Sequence, residues 1–155
     1  MKANMKNKMQ RRGFLKIIVG GLTSLFLPIS AWALSWNKPA FDATKLNIAK
    51  QALAVSNEIL STNIVIIAPT FAENGAVVQI EVKSNIANTE AIAILVEKNP
   101  TPLIANISFS QGVLPKIITR IKMAETSQLV VIVKAGEQYF KASREIEVNI
   151  GGCGS

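Results

Sequence analysis

Residues 140–150 read Phe140-Lys141-Ala142-Ser143-Arg144-Glu145-Ile146-Glu147-Val148-Asn149-Ile150. Phe140, Ala142, Ile146, Val148 and Ile150 fall on one face of an extended chain, and Lys141, Ser143, Glu145, Glu147 and Asn149 on the other; only Arg144 breaks the apolar side. A period of two with one greasy face belongs to a strand in a sheet that is covered on one side. Working upstream, the same period recurs. Residues 76–84 alternate Val78, Ile80 and Val82 with Gln79, Glu81 and Lys83 after an Asn74-Gly75 turn. Residues 116–123 alternate Ile117, Thr119, Ile121 and Met123 with Lys116, Ile118, Arg120 and Lys122. Residues 91–97 and 103–109 are separated by Asn99-Pro100-Thr101-Pro102, which cannot continue either strand. Residues 63–68 and 128–135 are short β-branched runs, and Gly136-Glu137 offers a turn into the last strand.

About seven short strands at regular spacing predict a mainly β protein, an immunoglobulin-like antiparallel β-sandwich. The Cys-Trp-Cys core of antibody domains is absent, because Trp32 and Trp36 both lie far upstream, so the core must be aliphatic. Apolar positions on both sides of 91–97 and 128–135 fit either a core or a partner. Ahead of the strands, Leu46, Ala49, Leu53 and Leu60 recur at helical spacing within 42–60, with Asp42 or Thr44 placed to cap the start. This predicts one short amphipathic helix lying on the domain or on a partner.

The first 33 residues carry a different pattern. Lys2, Lys6, Lys8, Arg11, Arg12 and Lys16 precede the apolar run from Ile17 to Leu27, and Ala31-Trp32-Ala33 follows. Basic, apolar and small-x-small in that order is the layout of a cleaved export signal, with cleavage expected after Ala33. The run of 11 residues would span about 17 Å as a helix against a hydrocarbon thickness of about 30 Å, so no permanent membrane anchor is expected. The core Arg11-Arg12-Gly13-Phe14-Leu15-Lys16 resembles the twin-arginine signal, which implies export of a folded protein to a bacterial periplasm. The expected organisation is a signal over 1–33, a segment with the helix over 34–61, the sandwich over 62–150 and a Gly-rich arm over 151–155.

Charge and composition then exclude whole classes of function. The chain of 155 residues has 17 Lys+Arg against 10 Asp+Glu, no His and one Cys. Six of the basic residues lie in the export signal, leaving 11 against 10, so a nucleic-acid partner loses its electrostatic support. Without histidine there is no Ser-His or Cys-His pair and no His-ligated metal or haem. One thiol cannot build a Cys-rich zinc site, an iron-sulfur cluster or an intrachain disulfide, so neither metal nor cofactor is expected.

What chemistry remains sits after Ile150, in Gly151-Gly152-Cys153-Gly154-Ser155. Three glycines in five residues predict a flexible tail, and a thiol placed there is not explained by packing. Cys153 lies three residues beyond Ile150 and can reach roughly 10 Å past it. Gly151, Gly152 and Gly154 leave a backbone slim enough for a narrow channel, and Ser155 is small. No base neighbours the sulfur, and an unperturbed thiol is only a few per cent ionised near neutral pH, so activation must come from whatever receives the arm. The residues therefore describe a carrier rather than an enzyme.

The motif Gly151-Gly152-Cys153-Gly154 resembles the carboxy-terminal Gly-Gly-Cys-Gly-Gly of the SoxY family, carriers of sulfur in periplasmic thiosulfate oxidation. The resemblance extends through Glu73-Asn74-Gly75, Asn99-Pro100-Thr101-Pro102, Arg120-Ile121-Lys122-Met123-Ala124 and Ile146 to Ile150; Ser155 departs from the family's glycine. It implies that Cys153 binds sulfur covalently as thiosulfonate, persulfide and sulfonate. It also implies a SoxZ-like second β-sandwich as heterodimer partner, a haem-containing thiosulfate-coupling enzyme, a sulfate-releasing hydrolase and, where present, a sulfane dehydrogenase. The residues leave a second reading open: an exported structural module whose Cys153 forms an intermolecular disulfide.

Overall fold

A computed structural model describes residues 37–149. Its strands are β1 (Glu58–Leu60), β2 (Ile64–Ile67), β3 (Phe71–Ala72), β4 (Val78–Ser84), β5 (Thr89–Val96), β6 (Leu103–Ser108), β7 (Lys116–Ile121), β8 (Ser127–Ala135) and β9 (Gln138–Val148). Two helices precede them, α1 (Lys38–Phe41) and α2 (Leu46–Ala52). One sheet has the order β1-β9-β8-β5-β6, with β3 also on β9; the other has the order β2-β4-β7. The two pack face to face as the expected immunoglobulin-like β-sandwich.

The alternation that opens the sequence produces the core between them. Val78, Ile80, Val82, Ile117 and Ile121 from the small sheet meet Ile92, Ile94, Val96, Leu129, Val131, Val133 and Ile146 from the large one. Phe140 and Ala142 extend this layer as half-buried residues. Arg144, the break in the apolar face, is half-buried at the edge, where its Nη2 lies 3.4 Å from the Thr70 hydroxyl. The β8–β9 hairpin closes through Gly136 at φ +59°, with Ala135 paired to Gln138, as a two-residue loop of primed type requires.

The doubly apolar strands β5 and β8 are explained by a third layer. Ala93, Leu95, Val130 and Ile132 face away from the sandwich core and are buried beneath Ala40, Ala43, Ala49, Leu46 and Leu53 of the helical segment. Small alanines let the helices approach closely. Lys50 of α2 also pairs with Glu58 of β1 at 2.6 Å, and Lys141 of β9 approaches the same carboxylate at 3.6 Å.

Three expectations need correction. The segment 42–60 is not one helix: α2 stops at Ala52, and Leu60 belongs to a strand and is 79% exposed. The chain reverses at Ala54, in the left-handed region at φ +59°, with the Val55 amide donating to the Lys50 carbonyl. Neither Asp42 nor Thr44 caps α2; Lys45 holds the N-cap position without a side-chain bond, and Asp42 instead pairs with Lys38. Among the described residues the strands number nine, because β1 and β3 add to β9 as short parallel partners, Glu58 to Leu60 beside Tyr139 to Lys141 and Phe71-Ala72 beside Glu147-Val148. Pieces of three and two residues are too short to show a period.

Candidate functional site

Cys153, Gly151, Gly152, Gly154 and Ser155 lie outside the described residues, as do the signal positions Arg11, Arg12, Phe14, Leu15, Ala31 and Ala33. The structure instead defines the ground from which the segment 150–155 departs. That ground is the end of β9, and it is held from both sides.

On one side β3 runs parallel to the strand: the Glu147 amide donates to the Thr70 carbonyl at 2.9 Å and the Asn149 amide to the Ala72 carbonyl at 3.0 Å. On the other side β8 begins only at Ser127, opposite Ile146, too late to pair with Val148 through its backbone. Thr126 substitutes for it. Its hydroxyl accepts from the Val148 amide at 2.9 Å and lies 3.4 Å from the Val148 carbonyl. A side chain thus supplies the ladder bond that the neighbouring strand cannot.

Beneath this clamp the Asn74-Gly75 turn meets the end of β7. The Asn74 side chain accepts from the Ala76 amide at 2.8 Å, and the Gly75 carbonyl accepts from the Met123 amide at 2.8 Å. Gly75 has no room for a side chain: a Cβ there would strike the Met123 carbonyl oxygen and lie 2.7 Å from Val148 Cγ1. Asn99, from the turn between β5 and β6, binds the same segment twice, donating to the Lys122 carbonyl at 2.8 Å and accepting from the Ala124 amide at 2.9 Å. Pro102 is fully buried, and its carbonyl accepts from the Val96 amide at 2.8 Å.

Asn74-Gly75, Asn99, Lys122-Met123-Ala124 and Val148, scattered in sequence, are therefore linked around one strand end. Thr126 and Ala72 complete the arrangement and carry no signal in the sequence, since a threonine in a loop and an alanine in a two-residue strand have no pattern to reveal them. An open basin of about 840 Å³ lined by Ile86, Glu90, Phe109, Val113, Pro115 and Phe140 lies at the opposite end, beside the β8–β9 turn. Its one carboxylate, Glu90, is held below the usual glutamate range by a 2.8 Å bond from Lys134, whose ammonium is raised in return. Among the described residues no group of three His, Cys, Asp or Glu is placed to hold a metal ion.

The fold and this end of it define an immunoglobulin-like β-sandwich whose last described strand is fastened on both edges up to Val148 and Asn149. The comparisons with known proteins specify its family. The family model of sulfur oxidation protein SoxY matches residues 49–153, from within α2 to the cysteine. A solved structure of the sulfur carrier protein SoxY from Chlorobium limicola f thiosulfatophilum is similar at 38% identity and a TM-score of 0.63, covering 68% of this chain and 97% of that one. No curated protein matches. The chain belongs to the SoxY family.

Proposed function

We propose that this chain is a non-catalytic carrier of sulfur intermediates, held covalently on Cys153 during thiosulfate oxidation. The observation that carries the reading is the family match, which runs to Cys153, and the similar structure is that of a sulfur carrier. The fixed strand end before residue 150 supports it physically. A rigid origin with a slim extension presents one atom at a controlled distance from a folded body.

The chemistry balances with partners supplying every catalytic group. The Cys153 thiolate and the outer sulfur of thiosulfate form an S–S bond, and two electrons pass to a haem-containing enzyme. Water then attacks the terminal sulfone, which leaves as sulfate while a persulfide stays on Cys153. Where a sulfane dehydrogenase acts, three waters supply the oxygens that convert the outer sulfur to a sulfonate, with six electrons withdrawn. A second hydrolysis releases sulfate and regenerates the thiol. The chain needs no cofactor of its own for these steps. Its site is the periplasm, reached through Arg11-Arg12 and the twin-arginine route, and its companion is a SoxZ-like subunit. The test is a cell carrying Cys153→Ser in place of the wild type. Loss of sulfate production from thiosulfate, with normal amounts of folded protein, is expected; undiminished production refutes the carrier.

A further inference from the structure

The Asn74-Gly75 turn carries chemistry as well as shape. Asn74 is exposed, and of all the asparagines in the chain it alone precedes a glycine; the others precede larger residues or, for Asn99, a proline. An asparagine amide is open to attack by the backbone nitrogen of the next residue, and a side chain on that residue crowds the approach, β-branched ones most. Asn74 meets no such obstacle. Among the described residues the Gly75 amide has no acceptor and the Asn74 side-chain nitrogen has none, so the attacking nitrogen's proton is open to hydroxide and the leaving group is free. The Asn74 side-chain oxygen accepts from the Ala76 amide at 2.8 Å, a donor placed where negative charge gathers during the attack.

The reaction balances with water alone and transfers no electrons. Hydroxide takes the Gly75 amide proton, the nitrogen bonds to Asn74 Cγ, and the side-chain nitrogen leaves as ammonia, closing a succinimide. Water then opens the ring on either side. Breaking the bond from Cγ leaves an aspartate at position 74 in a normal chain; breaking the bond from the backbone carbonyl carbon leaves an isoaspartyl link that routes the chain through Cβ and Cγ. Ring closure turns the Asn74-Gly75 peptide, and the fold resists that turn. The Gly75 carbonyl is bonded to the Met123 amide at 2.8 Å, and Met123 is flanked by the two bonds of Asn99 to Lys122 and Ala124. Around Gly75 even a methyl group has no place, since it would lie 2.7 Å from Val148 Cγ1.

We propose that Asn74 is a site of spontaneous deamidation, that its rate is set by the opening of the Gly75 contact with Met123, and that the isoaspartyl product keeps that contact from reforming. The folded protein then deamidates in proportion to the fraction of time the turn is released. The aspartate product keeps an acceptor for the Ala76 amide and refits the turn. The isoaspartyl product adds a backbone atom ahead of Gly75, where Met123 and Val148 leave no space, and loosens the end of β9 from that side. The inference stands apart from the carrier reading, since no residue beyond Val148 enters it.

The experiment incubates the purified full chain in mildly alkaline buffer, folded and in urea, and follows the peptide containing residue 74 by mass spectrometry with electron-based fragmentation, which separates aspartate from isoaspartate. Conversion should gather at Asn74 ahead of every other asparagine, rise with pH, and nearly vanish at that position in Asn74→Gln. The unfolded chain should convert at least about tenfold faster than the folded one, and Asn99→Ala should raise the folded rate about five- to thirty-fold. Below the unfolding midpoint, the wild-type rate should climb with urea in step with hydrogen exchange at the Met123 amide, a reading that needs no variant. The isolated isoaspartyl form should melt below Asn74→Asp, which should melt near wild type. Conversion no faster at Asn74 than at the other asparagines overturns the site. A folded wild type that converts as fast as in urea, or a folded Asn99→Ala chain that converts at the wild-type rate, overturns the gate. An isoaspartyl form that melts with Asn74→Asp overturns the lost contact.

Discussion

Gly75→Ala tests the packing that fixes the end of β9. The added methyl would meet the Met123 carbonyl oxygen and lie 2.7 Å from Val148 Cγ1, where carbon atoms rest about 3.5 to 4.0 Å apart. Neither neighbour can yield freely. Met123 is bonded to Gly75 through its amide at 2.8 Å, the residues on both sides of it are held by Asn99, and Val148 is bonded to Thr126. Overpacking of this kind costs about 1 to 3 kcal/mol, and losing the Met123 to Gly75 hydrogen bond adds about 1 kcal/mol. We therefore expect a loss of about 2 to 4 kcal/mol in urea unfolding and a melting temperature lower by roughly 6 to 16 °C for a domain of this size. Native-state hydrogen exchange adds direction: the Val148 and Asn149 amides should open more readily than those of Ile94 and Val131. A Gly75→Ala protein within about 0.5 kcal/mol of wild type, with unchanged exchange at Val148, would refute the proposed clamp.

Further expectations follow from other parts of the fold. Thr126→Val keeps the shape but leaves the Val148 amide without its acceptor, a loss of about 1 to 2 kcal/mol by urea unfolding. Ile94→Ala and Leu95→Ala, adjacent and both fully buried but on opposite faces of β5, should each cost about 3 kcal/mol; a near-zero value for Leu95 would show that the helices do not cover that face. Ala54→Gly relieves a left-handed alanine at the end of α2 and should stabilise by about 0.5 to 1 kcal/mol in thermal unfolding. Glu90, held low by Lys134, contributes stability that is present above the ordinary glutamate pKa and lost as pH falls through the lowered folded value. The melting temperatures of wild type and Glu90→Gln should therefore differ slightly at neutral pH and converge in acid.

The sandwich was legible because its long strands bury one face each, and β4, β7 and β9 write that burial directly as alternation. The strands β5 and β8 lost the alternation for a physical reason. They are covered twice, by the small sheet on one side and by Ala40, Ala43 and Ala49 on the other. The helix was misjudged because Leu60 happens to continue the helical spacing of Leu46 and Leu53, although a turn through Ala54 interrupts it and Leu60 points to solvent. At the candidate site, the motif around Cys153 could be read from residue types alone. The fastening of the strand before it could not, since Thr126 and Ala72 act through hydrogen bonds between segments distant in sequence.

Purifying the protein from cells grown with and without thiosulfate, and measuring its intact mass before and after reduction, tests sulfur carriage most directly. Sulfur-bearing additions confined to thiosulfate-grown cells, removed by reductant and absent in Cys153→Ser, are the predicted result. A chain whose mass is the same under both conditions, or whose only modification is a disulfide to another protein through Cys153, would contradict it.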